Sequence, residues 1–159
     1  METFRIVSAS AEHIATAKSL FKAYVEWLNI DLSFQSFQSE LDSLPGKYSA
    51  PDGELLLAYG TDKPLGCVAV RPLGTEKECE MKRLYVAPEA RGMGLGAALV
   101  AEIVQRAKEL GYKVMRLDTL PSRMQGAIDL YTRMGFVETD PYCETPMDET
   151  IFLALDLTR

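Results

Sequence analysis

Arg91-Gly92-Met93-Gly94-Leu95-Gly96 is the stretch on which the reading of this chain turns. It lies between the apolar run Leu84-Tyr85-Val86 and a long amphipathic stretch from Gly94 to Leu110. Glycines at alternate positions let a backbone turn tightly and bring its amides close to a ligand. A helix that begins here adds unpaired N–H groups and the positive end of its dipole, a combination that favours phosphate. Gly92-x-Gly94-x-x-Ala97 also meets the dinucleotide-binding fingerprint, with Asp118 about where a ribose-binding carboxylate would stand. Context excludes that reading. In that motif a strand runs straight into the first glycine, whereas Ala87 to Arg91 intervene here, and the chain ends too soon after Asp118 for further βαβ units. No Gly-Lys-Ser/Thr follows, so the turn is not a Walker A loop either.

Working outward, Cys79 to Val86 reads as a strand entering the turn. Glu54 to Tyr59 and Leu65 to Val70 read as two more, linked by Gly60 to Pro64, and the short links suggest an antiparallel meander. Leu65 to Val70 is apolar enough to be buried on both faces. Upstream, Phe4 to Val7 is a short strand. Ile14, Ala17, Phe21, Tyr24, Val25 and Leu28 then recur on one helical face, with Ser10 as a plausible N-cap. A shorter amphipathic stretch with Phe37, Leu41 and Leu44 stops at Pro45-Gly46. Downstream, Leu99, Val100, Ile103, Val104, Ala107 and Leu110 mark the inner face of the long helix, which Gly111 ends. Lys113 to Leu117 is a strand, Pro121 breaks the chain, and Met124 to Met134 is a helix. Phe136-Val137 and Ile151 to Leu157 are strands, separated by a loop from Asp140 to Glu149. The order β-α-α-β-β-β-α-β-α-β-β implies one α/β domain over residues 1–159 with a mixed sheet.

Composition narrows the function. Apolar residues make up 47% and charged ones 25% of the 159 residues, ordinary for a globular protein. Seventeen Lys and Arg against 23 Asp and Glu give a formal charge of -6, which weighs against nucleic-acid and anionic-membrane binding. No apolar run is long enough for a membrane span, and the start has no secretion signal. Cys67, Cys79 and Cys143 lack paired spacing, and the single His13 completes no metal set. We therefore expect no metal, reduced thiols, a solvated His13 and a cytoplasmic location. An acidic chain leaves cationic or amine-bearing partners open. Any polyanionic ligand would need a local site working against the global charge.

Arg91-x-x-Gly94-x-Gly96 resembles the pyrophosphate loop of the GNAT superfamily, the acyl-CoA-dependent N-acetyltransferases. Glu80-Met-Lys-Arg-Leu-Tyr-Val86, with Pro88 after it, is similar to that family's central strand. Ala127-Ile-Asp-Leu-Tyr131-Thr-Arg-Met-Gly135-Phe136 resembles its second signature, a helix ending in Tyr-x-x-x-Gly-Phe. The resemblance covers the whole chain in element order. It implies a mixed, mostly antiparallel sheet of about six to seven strands flanked by about four helices. It also implies acetyl-CoA as cosubstrate and a primary amine of a small molecule or peptide as acceptor; homodimers are common in the family.

Acyl transfer from a thioester to an amine requires an aligned donor, a deprotonated amine, a stabilised oxyanion and a reprotonated thiolate. The resemblance implies that main-chain groups of Leu84, Tyr85 and Val86 bond the pantetheine like an added strand. Arg91, Gly92, Met93, Gly94, Leu95, Gly96 and Ala97 would hold the pyrophosphate. Met124 stands where members often carry an asparagine contacting the pantetheine; either Ser122 or Gln125 substitutes for it or the contact is absent. Tyr131 falls on the position of the general acid, and a phenol of pKa about 10 suits a thiolate of similar basicity. By spacing alone it would be core, in register with Ala127 and Met134. Glu80 lies eleven residues before Arg91, where the family often places a base. Desolvation in a buried strand would raise its pKa and suit that role, and a salt bridge with Lys82 or Arg83 accounts for it equally well. Asp118 reads as a turn or cap residue.

The acceptor side would be drawn from Trp27, Phe34, Gln35, Phe37, Tyr48, Tyr142, Cys143 and Glu144, with Trp27 and Phe37 read as core. Asp31, Glu40 and Asp42 suit a cationic amine or a solvated face. A catalytically inactive acyl-CoA-binding module would need neither Tyr131 nor Glu80.

Overall fold

The computed structural model describes residues 4–28, 37–61, 63–143 and 149–158, without the side chains of 75, 76 and 122–125. In chain order the elements are β1 (Arg5–Ser8), α1 (Ile14–Leu28), α2 (Phe37–Ser43), β2 (Glu54–Tyr59), β3 (Pro64–Leu73) and β4 (Thr75–Val86). They continue as α3 (Leu95–Glu109), β5 (Val114–Thr119), α4 (Pro121–Arg133), β6 (Val137–Thr139) and β7 (Ile151–Asp156). The order is the one read from the sequence. Two details differ. Pro121 opens α4 at its first position instead of breaking the chain before it, because proline has no amide to lose there. Ser10 is an N-cap as expected, but of a short 3-10 turn, Ala11–His13, that leads into α1. Its amide donates to His13 Nδ1 at 3.0 Å, and the imidazole is half-buried near Tyr59 instead of solvated.

The seven strands form one sheet in the order β1-β2-β3-β4-β5-β7-β6. Every neighbouring pair is antiparallel except β4 and β5, which run parallel. A parallel pair needs a crossover, and α3 supplies it. That pair is joined only at Glu78↔Val114, Cys79↔Met115 and Glu80↔Arg116. Beyond Glu80 the two strands part, while β4 runs on to Val86 beside β3.

The cause of the parting lies within β4. The β3–β4 register shifts between Cys67 and Ala69, opposite Arg83, whose φ is 63°. For a residue with a Cβ this left-handed conformation costs roughly 1–2 kcal/mol, and a bulge of this kind sharpens local twist. The bulged backbone is held by several contacts. Cys67 Sγ donates to the Arg83 carbonyl at 3.2 Å. The Arg83 side chain is 3% exposed and grips Glu40 of α2 with Nε on Oε2 at 2.8 Å and Nη2 on Oε1 at 2.9 Å. Tyr48 also donates to Glu40 Oε1 at 2.9 Å, and the rings of Tyr24 and Phe37 lie 5.8 and 5.6 Å from the guanidinium.

Two cores flank the sheet, because successive strand residues point to opposite faces. One face carries Leu56, Val68, Val70, Met81 and Leu84 against Leu95, Leu99 and Ile103 of α3. The other carries Leu55, Leu57, Cys67, Ala69 and Tyr85 against Ala17, Phe21 and Tyr24 of α1. Cys67 and Cys79 are buried, Cys143 is exposed, and all three are free thiols. No helix among the described residues is long and apolar enough to cross a membrane.

Glu40→Ala leaves the buried Arg83 guanidinium without this carboxylate. The expected loss is about 3–5 kcal/mol, measured by urea unfolding, and Glu40→Leu combined with Arg83→Met should recover much of it.

Candidate active site

Past Val86 the chain makes a 3-10 turn at Pro88–Ala90 and then the glycine turn. Gly92 and Gly94 have φ of 85° and 80°, so both positions require glycine. The first intrahelical bond of α3 runs from the Ala98 amide to the Gly94 carbonyl at 3.1 Å. The amides of Leu95, Gly96 and Ala97 therefore have no acceptor within the helix. A Cβ on Gly96 would lie 3.8 Å from Leu130 and Val86.

This turn, the end of β4 and one side of α4 enclose a cleft of about 320 Å³. Of the expected cofactor residues, Leu84, Val86, Arg91, Gly92, Gly94, Leu95 and Gly96 line it. Tyr85 is buried on the opposite face against α1, Met93 packs on the α3 core, and Ala97 is exposed. The Met124 side chain lies outside the described residues. Trp27, Ala90, Gly126, Ala127 and Leu130 also line the cleft and were not anticipated there. Trp27 is 38% exposed, which corrects its reading as core. Its ring lies 5.0 Å from the Arg91 guanidinium, whose Nε donates to the Val86 carbonyl at 3.0 Å. The signal in sequence for the α4 wall is the small pair Gly126-Ala127, which lets a helix approach closely.

Tyr131 sits one helical turn beyond Ala127, on the same side of α4. It is 2% exposed, with its ring 5.5 Å from Phe136. Gly135, at φ 104°, closes the helix and lets the Phe136 amide return to the Tyr131 carbonyl at 3.0 Å. The Tyr-x-x-x-Gly-Phe signature is therefore a helix terminus that locks this ring in place. Burial, then the nearby Tyr24 and Asp118, pushes the phenol well above its ordinary value. Its hydroxyl makes no hydrogen bond with any described residue.

On the α1 face, β4 and its neighbours carry charge. Glu80 is 2% exposed and lies outside the cleft. Its partner is Arg71 of β3, opposite it in register, and neither Lys82 nor Arg83 pairs with it directly. Arg71 Nε and Nη2 both reach Glu80 Oε1, at 2.8 and 2.7 Å. The Tyr142 hydroxyl donates to Oε2 at 2.6 Å, and Tyr142 packs edge-on against Phe152 at 5.3 Å. Burial pushes the Glu80 carboxyl up, but Lys82, Arg71 and the Tyr142 hydroxyl outweigh it and hold the group below its ordinary 4.5. The raised pKa expected from burial is thereby corrected in sign.

Asp118 is not a turn or cap residue, since it lies inside β5 opposite Phe152 of β7. Burial, and further the charge of Glu80, raise its carboxyl above the ordinary 3.8, while Lys82 works the other way. Arg116 and Glu78 form a further ion pair across the two strands.

A second hollow of about 200 Å³ lies under α2, lined by Glu40, Lys47, Tyr48 and Arg71 among others. Tyr48 is buried against Phe21, Phe37 packs on Arg83, and Cys143 is exposed. Glu40 belongs to the buried Arg83 pair, whereas exposed Asp42 accepts from Gln38 at 2.9 Å. Asp31, Phe34, Gln35 and Glu144 lie outside the described residues. Among those residues no cluster of His, Cys, Asp and Glu could hold a metal ion.

Residues 21–136 match the model of the acetyltransferase (GNAT) family. An uncharacterized N-acetyltransferase of Schizosaccharomyces pombe is 43% identical over 145 residues, covering 89% of this chain and 87% of that protein. Among solved structures, an acetyltransferase of the GNAT family from Staphylococcus aureus superposes with a TM-score of 0.80 at 18% identity, covering 98% of this chain and 99% of that one. The PaiA N-acetyltransferase from Thermoplasma acidophilum, solved in complex with coenzyme A, gives 0.75 at 18% identity, covering 97% and 99%. A glycine turn at a helix start, a central strand parted from its parallel neighbour and a tyrosine locked by Gly135-Phe136 thus occur in a chain whose length and fold its relatives share, and the chain belongs to the GNAT family of acetyltransferases.

Proposed function

We propose that this protein moves an acetyl group from acetyl-CoA to a primary amine of a small molecule or peptide, by direct attack in a ternary complex. The observation that carries the reading is the opening between β4 and β5 beyond Glu80, bordered by the glycine turn. Past Glu80, alternate peptide groups of β4 point into that opening with no strand to receive them. Leu84, Tyr85 and Val86 would bond the pantetheine there as an added strand, and one of their amides would polarise the thioester carbonyl.

The amides of Leu95, Gly96 and Ala97 at the positive end of α3 would receive the pyrophosphate, with Arg91 turning from Trp27 to add a charge-assisted bond.

Tyr131 would protonate the departing thiolate. Its high proton affinity is no obstacle, because the burial that raises a phenol's pKa also raises that of a thiolate beside it. Glu80, held ionised on β4, is proposed to promote loss of the acceptor ammonium's proton through water and the neighbouring side chains. The global charge of -6 would favour the approach of a cationic amine.

Coenzyme A, but not NAD, should raise the midpoint of thermal unfolding. Arg91→Ala should weaken coenzyme A binding about tenfold, the loss of one charge-assisted hydrogen bond. Thiol release from acetyl-CoA, measured with polyamines, amino acids and lysine peptides, should identify an acceptor. Tyr131→Phe should then lower kcat about 10²-fold while leaving the coenzyme A-induced shift in place. Full kcat in that variant would remove the acid role, and coenzyme A binding without turnover for any amine would remove the transferase reading.

A further inference from the structure

The α1 face of β4 and β5 brings four carboxylates together with three guanidinium groups. Three of the carboxylates are spoken for. Glu78 is paired with Arg116. Both oxygens of Glu40 are taken by Arg83, and Tyr48 adds a further bond. Both oxygens of Glu80 are taken by Arg71 and Tyr142. The fourth, Asp118, forms no ion pair and no side-chain hydrogen bond with any described residue, beyond its own backbone amide.

Its place in the sheet is as particular as its lack of side-chain partners among the described residues. Arg116 is the last β5 residue joined to β4, and Asp118 lies two residues on, about 7 Å further along the strand. Its side chain points to the same face as those of Arg116 and Glu80, across the opening from Lys82. It is half-buried, where Glu80 is buried. Its charge bears on the Tyr131 phenol of α4 and the Tyr24 phenol of α1. It bears also on Tyr142 and Cys143 in the loop before β7.

We infer that Asp118 is the catalytic carboxylate that takes the proton from the attacking ammonium, and that Glu80 is a positioning residue that acts through it. The inference rests on the acetyl-transfer reading above and refines its base. The Asp118 carboxylate removes one proton from the ammonium, and the freed amine nitrogen bonds to the thioester carbonyl carbon. The carbon–sulfur bond breaks, the sulfur leaves as thiolate and takes the Tyr131 proton. The tyrosinate recovers a proton from the nitrogen of the new amide. Asp118 then releases its proton to solvent, and the balance is amide, free thiol and one proton.

Glu80 contributes a fixed negative charge that strengthens Asp118's hold on the proton, opposed by Lys82 and Arg83. A carboxyl with its pKa raised by burial, and with no described side chain bonded to its oxygens, is better suited to proton transfer than one locked as an anion.

Rates of thiol release against pH, with the best amine of a spermidine, amino-acid and lysine-peptide panel, separate the two carboxylates. In the unaltered protein kcat/KM should rise with pH through an acidic limb. Asp118→Asn should lose about 10²-fold at neutral pH and regain rate only as the pH approaches the amine's own pKa of about 10. Glu80→Gln should keep the acidic limb but move it to lower pH, because a charge that favours protonated Asp118 has gone. The reverse pattern, with the limb abolished by Glu80→Gln and untouched by Asp118→Asn, would overturn the assignment, as would a limb unmoved in both.

Carbon-13 titration of the side-chain carboxyls in the unaltered, coenzyme A-bound protein gives a reading independent of variant folding and of the acceptor. Asp118 should titrate above 3.8 and Glu80 below 4.5; an Asp118 at or below its ordinary value overturns the inference. Absence of turnover in the unaltered protein, with the Asp118 titration as expected, would count against acetyl transfer itself.

Discussion

The parting of β4 from β5 is the constraint on which the rest of the molecule depends. A parallel pair that stayed joined to its end would bury every peptide group of β4 and leave nowhere for an extended ligand. Here β4 stays paired with β3 through a bulge at Arg83 after its pairing with β5 has ended, and the strained backbone is paid for by what the Arg83 side chain reaches. One buried guanidinium meets a carboxylate from α2 and faces rings from α1 and α2. The same contact fastens α2 to the sheet at the bulge. Breaking it would loosen a helix and let the central strand relax at once.

Electrostatics in this protein are arranged by locality. The net charge of -6 acts over long distances and is screened within about 8–10 Å at ordinary salt. The glycine turn gathers backbone amides and one arginine into a small region where they outweigh it. On the α1 face, by contrast, carboxylates and guanidiniums are matched almost one to one at close range. Such pairs contribute little net stability once desolvation is counted. They do fix positions, and among the described residues of that face they leave Asp118 as the carboxylate without a guanidinium.

The segments that were legible in the sequence were those governed by local rules. Helices α1 and α3 announced themselves by apolar spacing, and the meander by short polar links between apolar runs. Gly111 and Gly135 marked helix ends through their positive φ, a backbone property that a single residue type declares. The glycine turn was legible for the same reason. Pro121 was read as a break because proline stops helices from within; whether it stands inside or at the first position depends on where the preceding strand ends.

What the sequence by itself determined was the order of elements, the glycine turn at a helix start and the locked Tyr131, all products of interactions within a few residues. Only the tertiary structure decided how the charged side chains pair. Arg71 and Glu80 are neighbours through strand register, Glu40 and Arg83 through the packing of α2, and Tyr142 and Glu80 through a loop returning over the sheet. The sign of the Glu80 shift followed from those partners: burial alone would have raised it, and three groups distant or offset in sequence lowered it. Trp27 moved from core to cleft wall for a similar reason, because α1 ends beside the glycine turn. Spacing along a chain shows which face a side chain occupies. What stands opposite that face is settled by register and packing, because those set the distances over which charges and hydrogen bonds act.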